Sequence, residues 1–227
     1  VTKLYKGKTI SWFNGNDKVD LANTAFVEDT TLVYDLAPNW FLTFTTDTAF
    51  DYDVTYDQGK YKITIYGDLP TGFVLNMDRE NLIADAMADN SVELSVAINN
   101  NNTEYTFLDF NNTVLKFLGE KSNETVEFIY ATPDSVTDTA FGELYGSATG
   151  VFAYDFSFSV DGDLEKAAEF GSGVAITMPF VPTATQVSVY TMGENGKETV
   201  ASEVKNGYIT LKPVHFSEFL IANEFVL

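Results

Sequence analysis

Phe50-Asp51-Tyr52-Asp53-Val54-Thr55-Tyr56-Asp57-Gln58-Gly59-Lys60-Tyr61-Lys62-Ile63-Thr64-Ile65-Tyr66 is the stretch that settles the fold class. Side chains of a strand alternate between two faces. With Gln58-Gly59 as a two-residue loop, Asp57 faces Lys60, Tyr56 faces Tyr61, Val54 faces Ile63 and Tyr52 faces Ile65. The aromatic and aliphatic pairs then share one side, and Asp51, Asp53, Thr55, Lys62, Thr64 and Tyr66 share the other. A slip of one residue would invert both faces. The spacing predicts an antiparallel hairpin with one dry and one wet face.

The same signals recur on both sides of it. Residues 9–13 run into Asn14-Gly15, residues 32–36 are halted by Pro38, and residues 40–45 form a third β run. Residues 78–89 carry Leu82, Ile83, Ala86 and Met87 at helical spacing, with Asn76 or Asp78 as cap and Asn90 as stop. A hairpin is expected over 92–98 and 103–110, joined by Asn99–Asn102. A short helix over 113–118 follows, capped by Asn111 or Asn112, with Gly119 at its C′ position. Strands are expected at 126–130, 151–160, 174–180, 187–192, 198–205, 208–211 and 219–222, with Asn206-Gly207 as a type I′ turn. These elements define a mainly β chain with an α+β middle: antiparallel, sandwich-like units plus two short helices on one sheet face. The expected division is an N-terminal β region (1–75), an α+β unit (76–160) and a C-terminal β unit (161–227).

Composition narrows the function classes. Among 227 residues there are 13 Lys+Arg and 33 Asp+Glu, a formal charge of −20. Such a chain repels nucleic-acid phosphate and anionic lipid, so neither nucleic acid nor a membrane is an expected partner. There is no cysteine, hence no disulfide, thiol nucleophile or iron–sulfur cluster. One histidine, His215, excludes a multi-histidine metal centre, and one arginine, Arg79, argues against a phosphate-clamping enzyme. No apolar run reaches the roughly 18 residues of a membrane span. The chain opens at Val1 without a basic n-region or apolar h-region, so any signal peptide is expected to have been removed or to lie outside this sequence.

From about residue 78 onward, three stretches carry a resemblance. They are the helix at 78–89 with its following strand and the second helix at 111–118; the aromatic strand Val151-Phe152-Ala153-Tyr154-Asp155-Phe156-Ser157-Phe158 with Asp161-Gly162; and the C-terminal pattern Ala175-Ile176-Thr177-Met178-Pro179, Val189-Tyr190, Asn195-Gly196-Lys197 and His215-Phe216-Ser217-Glu218-Phe219. Together they resemble a surface-protein module of Gram-positive gut bacteria that ends in a His-Phe-Ser signature. Such modules occur in adhesins and in starch- or cellulose-capturing amylosome and cellulosome proteins. The resemblance implies an extracellular, secreted or cell-surface setting and other modules of a multidomain protein as neighbours. It does not extend to the first 75 residues.

No Gly-x-Ser-x-Gly elbow accompanies His215, so the histidine is expected to hold a turn by bonding backbone groups. The clusters Asp51/Asp53/Asp57 and Asp161/Asp163/Glu165 lack the glycine of an EF-hand loop, with Tyr56 and Lys166 in its place, and read as solvated acids, the alternative being Ca²⁺ held in a non-EF-hand arrangement. No enzyme activity, metal or cofactor is expected. Tryptophan and tyrosine offer a ring face to sugar C–H groups while amides and carboxylates bond the hydroxyls. Trp40 with Asn39, Tyr34 with Asp35, and Trp12 with Asn14 form the expected ligand site. The expected function is non-catalytic binding of a neutral polysaccharide or oligosaccharide, a glucan such as starch or maltooligosaccharide. The competing expectation is a cell-surface adhesion or spacer module that contacts a protein and has no glycan site.

Overall fold

The computed structural model describes residues 8–14, 17–20, 33–38, 41–44, 50–67, 71–100, 104–146, 151–164, 166, 168–184, 186–193 and 196–224. In chain order the strands begin with β1 (Lys8–Asn14), β2 (Asp17–Val19), β3 (Val33–Pro38) and β4 (Phe41–Phe44). The hairpin read from the sequence is β5 (Asp51–Asp57) and β6 (Lys60–Tyr66), in the expected register: Tyr52 opposite Ile65, Val54 opposite Ile63, Tyr56 opposite Tyr61. Its loop residues Gln58 and Gly59 both have positive φ, 47° and 88°, as a type I′ turn requires. Val54, Tyr61, Ile63 and Ile65 are buried, while Asp51, Asp53 and Lys62 are exposed.

After β7 (Gly72–Asn76) the chain makes one π-helical turn (Arg79–Ile83) that continues into α1 (Ala84–Ala88). Asp78 is the cap, accepting from the Asn81 backbone N–H at 3.1 Å. Leu82, Ile83 and Ala86 face the core, but Met87 is 44% exposed. The hairpin β8 (Glu93–Asn100) and β9 (Glu104–Phe110) leads to α2 (Asn112–Lys121), capped by the Asn111 carboxamide. Gly119 is not the C′ residue expected from the sequence: it lies inside α2, which runs on to Lys121. A Cβ there would stand 2.8 Å from Ile83 Cγ2 and 3.0 Å from Met87 Sδ, so this glycine lets two helices approach rather than ending one.

The remaining strands are β10 (Val126–Ala131), β11 (Val151–Val160), β12 (Val174–Pro179), β13 (Gln186–Gly193), β14 (Gly196–Thr199), β15 (Ala201–Lys205), β16 (Tyr208–Lys212) and β17 (Glu218–Glu224). The single strand expected over 198–205 is two strands, broken at buried Val200.

Two seven-stranded sheets result, and the fold is mainly β and sandwich-like. Sheet I has the order β14-β13-β17-β11-β10-β7-β4 and sheet II the order β15-β16-β12-β9-β8-β6-β5. The break at Val200 sends β14 to one sheet and β15 to the other. Both sheets draw strands from residues 1–75, 76–160 and 161–227. Among the described pairings only β6–β8 is parallel. Among the described residues a small third sheet, β2-β1-β3, is hydrogen-bonded to neither.

Alternation explains the core. Tyr61, Ile63, Val96, Leu108, Ile176 and Leu211 of sheet II point inward, as do Phe73, Phe128, Phe156 and Phe158 of sheet I, and all belong to one buried cluster. The π-helical turn, α1 and α2 occupy the crossovers between the sheets. Tyr61 donates from its hydroxyl to Asp85 Oδ2 at 2.8 Å, and Asn112 Nδ2 donates to the carbonyls of Ala86 and Asp89. The outer face of sheet I has its own cover. The β10–β11 connection, with a 3₁₀ turn (Val136–Asp138) and α3 (Gly142–Tyr145), packs Phe141 onto Leu220 and Ala222.

Candidate functional site

The wet face of the β5–β6 hairpin continues across sheet II as its outer face. Register fixes which residues lie side by side on it. One row crosses the whole sheet: Asp53, Thr64, Ala97, Phe107, Thr177, Thr210 and Glu203. The adjacent row begins Asp51, Tyr66, Asn99, Tyr105. Continuing the β9–β12 register by two residues sets Pro179 opposite Tyr105, and Pro179 pairs with Tyr208, which pairs with Lys205.

This face carries aromatic rings among small polar residues. Tyr105 and Phe107 stack with centroids 5.8 Å apart and planes 19° apart. Tyr66 is 44% exposed, and Tyr105, Phe107 and Tyr208 are half-buried. The Tyr66 hydroxyl donates to Asp53 Oδ2 at 3.0 Å, and that bond raises the tyrosine pKa above its ordinary value. Asn99, between Tyr66 and Tyr105, is buried. A shallow depression of about 330 Å³ opens between Phe107 and Tyr208, lined also by Thr177, Thr210, Glu203 and Lys205.

A larger cavity of about 680 Å³ lies at the other end of the same strands, beside Gly171-Ser172-Gly173. Several of its polar groups are engaged with one another. Ser95 donates to Asp109 at 2.6 Å, Lys60 pairs with Glu93 at 3.4 Å, and Asn111 Oδ1 accepts from the N–H of Thr113 and Val114.

The residues expected to bind ligand are placed as follows. Trp12 of β1 is the register partner of Tyr34 of β3, and Ser11 is that of Asp35. Asn14, exposed, ends β1 opposite Asp17. Asn39 and Trp40 lie outside the described residues. The small sheet thus brings the backbones of Trp12 and Tyr34 together.

The other singled-out groups have structural partners. His215 Nε2 stands 3.4 Å from Glu198 Oε2, a carboxylate rather than the backbone groups expected for it, because β14 runs beside the 213–217 turn. The Asp161 carboxylate accepts from the backbone N–H groups of Asn123, Thr125 and Glu124, and from Lys166 Nζ. These donors hold it well below the usual carboxylate range. Among the described residues, no three or more acidic or histidine side chains gather as a metal would need.

The sequence reading placed Tyr66 on a wet face but did not single out Tyr105, Phe107 or Tyr208. Their signal was present in the alternation of Tyr105 and Phe107 with Thr106 and Leu108, which puts two rings on the face opposite the core. In comparisons with known proteins, no family model, no curated protein and no solved structure matches this chain.

Proposed function

We propose that this protein is a non-catalytic, extracellular carbohydrate-binding module that holds a neutral polysaccharide or oligosaccharide against the outer face of sheet II. The observation that carries the reading is the Tyr105–Phe107 ring pair, half-buried on the outer face of the sheet and bordered by Tyr66, Tyr208, Thr64, Thr177 and Thr210. Rings of this kind stack on sugar C–H surfaces, and the surrounding hydroxyls bond the sugar hydroxyls. Each such hydrogen bond replaces one to water and gains little net free energy, so ring contact dominates the affinity. Asp53, bonded to the Tyr66 hydroxyl, stands beside this ring set as a carboxylate that can orient a ligand. A net charge of −20 favours a neutral polymer over an anionic one.

Titration calorimetry with neutral oligosaccharides tests this. The chain binds at least one of them, with an affinity nearly unchanged between low and high salt because no ligand charge is neutralised. Tyr105→Ala and Phe107→Ala, verified as folded by circular dichroism, weaken that binding. If the folded variants bind like wild type while Trp12→Ala does not, the site belongs to the small N-terminal sheet. If no neutral glycan binds, the reading fails in favour of an adhesion or spacer module.

A further inference from the structure

Three rings on the outer face of sheet II stand at a regular interval. Tyr66 is on β6 and Tyr105 two strands away on β9, in one row; Tyr208 is two strands further on β16, in the row of Pro179, which the β9–β12 register, continued two residues past its last pair Phe107–Thr177, sets opposite Tyr105. Neighbouring strands are about 4.8 Å apart, so successive rings are roughly 10 Å apart and the set spans roughly 19 Å. Sheet twist turns successive strands by roughly 20–25° about this line, so an occupant that meets all three rings twists with them.

We infer that the occupant of this face is an extended, β-linked neutral glycan laid across the strands along Tyr66, Tyr105 and Tyr208. The inference rests on the glycan-binding reading of the same face. In a β-1,4-linked chain of equatorial pyranoses each sugar is flipped relative to the last, so the same ring face recurs every second sugar. That repeat is about two interstrand spacings long. Every second strand carries a ring, and every second sugar has the matching face turned toward it. An α-1,4-linked chain curls instead, and cannot meet three collinear rings on a sheet without being straightened. The next row, with Thr64, Thr177 and Thr210, lies two residues along the strands, about 7 Å away, where it meets hydroxyls at the edge of an extended chain. Acidic glycans are disfavoured, since Asp51, Asp53 and Glu203 border the line and the whole chain is strongly negative.

The test is calorimetry on the intact chain with cello- and maltooligosaccharides of two to six units, on wild type and on Tyr66→Ala, Tyr105→Ala and Tyr208→Ala. Affinity is expected to climb with length along the β-linked series and to stay low along the α-linked one. Loss of the central ring, in Tyr105→Ala, should weaken the hexasaccharide by about tenfold or more. The end-ring variants should cut the gain from added length and leave the disaccharide unchanged. Equal or better binding of the α-linked series, still sensitive to Tyr105→Ala, overturns the linkage while leaving the glycan-binding reading intact. Binding of the β-linked series with no dependence on Tyr66 or Tyr208 overturns the line of rings. Failure of both series to bind removes the support for inference and reading together, and a wider neutral-glycan screen then decides the reading alone.

Discussion

Replacing Phe128 by alanine removes one of the most connected rings of the core. Phe128 is fully buried on β10, and its centroid lies 5.1 Å from Phe110, 5.8 Å from Phe216, 5.9 Å from Phe158, 6.1 Å from Phe73 and 6.2 Å from Phe156. Phe110 belongs to sheet II, so the ring also ties the sheets together. Truncating a buried phenylalanine costs about 3–5 kcal/mol, part lost transfer and part cavity. Five ring partners, each favourable beyond its buried area, place this site near the top of that range. For a chain of this length each kcal/mol moves the melting temperature by about 2–4 °C, so the expected fall is roughly 8–20 °C. Phe128→Leu keeps much of the volume and should cost clearly less. Phe152, 48% exposed with Phe180 as a ring neighbour at 6.3 Å, is the control, and its alanine variant should cost under about 1 kcal/mol. Denaturant titration followed by far-ultraviolet circular dichroism measures all three. A Phe128→Ala loss below about 2 kcal/mol with an unchanged m-value would refute the argument that this ring organises the core.

Three further outcomes are expected. Asp161 has its pKa depressed in the folded chain, so its contribution is present above the unfolded carboxylate pKa and is lost as pH falls below about 4; Asp161→Asn should lower stability at neutral pH and flatten this acid limb, and an unchanged limb in pH-dependent denaturation would show that the N–H donors do not act as argued. Asp155 faces Glu218 directly across β11 and β17, and desolvation together with that neighbour raises its pKa. Its charged form therefore subtracts from stability at neutral pH, and the deficit disappears as pH falls through the raised pKa. Asp155→Asn should stabilise by a few tenths of a kcal/mol, and a destabilised variant at pH 7 would count against it. The Tyr130 hydroxyl is buried with no hydrogen-bond partner among the described residues, so Tyr130→Phe should be neutral or stabilising by about 1 kcal/mol, and a loss of that size by thermal melting would reveal a bond to that hydroxyl.

What the sequence made legible was local. The β5–β6 register followed from period-two alternation plus a two-residue turn, and Asn111 followed from the rule that a short polar side chain precedes a helix. Gly119 was misread because its reason for being glycine is the approach of Ile83 and Met87, residues more than thirty positions earlier. The break at Val200 was invisible for a similar cause. Residues 198–205 alternate like one strand, and only the sheet to which each half hydrogen-bonds divides them. The candidate face depends on sheet order. Tyr66, Tyr105 and Tyr208 lie far apart in the chain, and no local pattern states that their strands alternate in one sheet. The parallel β6–β8 pairing, which sets Asn99 beside Tyr66, has no turn to announce it.

The position of β17 bears on how this molecule comes into being. It is the last strand described in the chain, yet it sits inside sheet I between β11 and β13. During synthesis, which proceeds from the N-terminus, the two parts of that sheet emerge with an open slot between them. Until residues 218–224 arrive, β11 and β13 each offer a row of unpaired amides and carbonyls, and β11 is rich in phenylalanine and tyrosine. Such edges are templates for pairing with other chains. Closure of the slot pairs β17 with β11, more than sixty residues earlier in the chain, a loop-closure step that slows folding without weakening the finished fold. The nascent sheet is thus most vulnerable to aggregation just before β17 inserts.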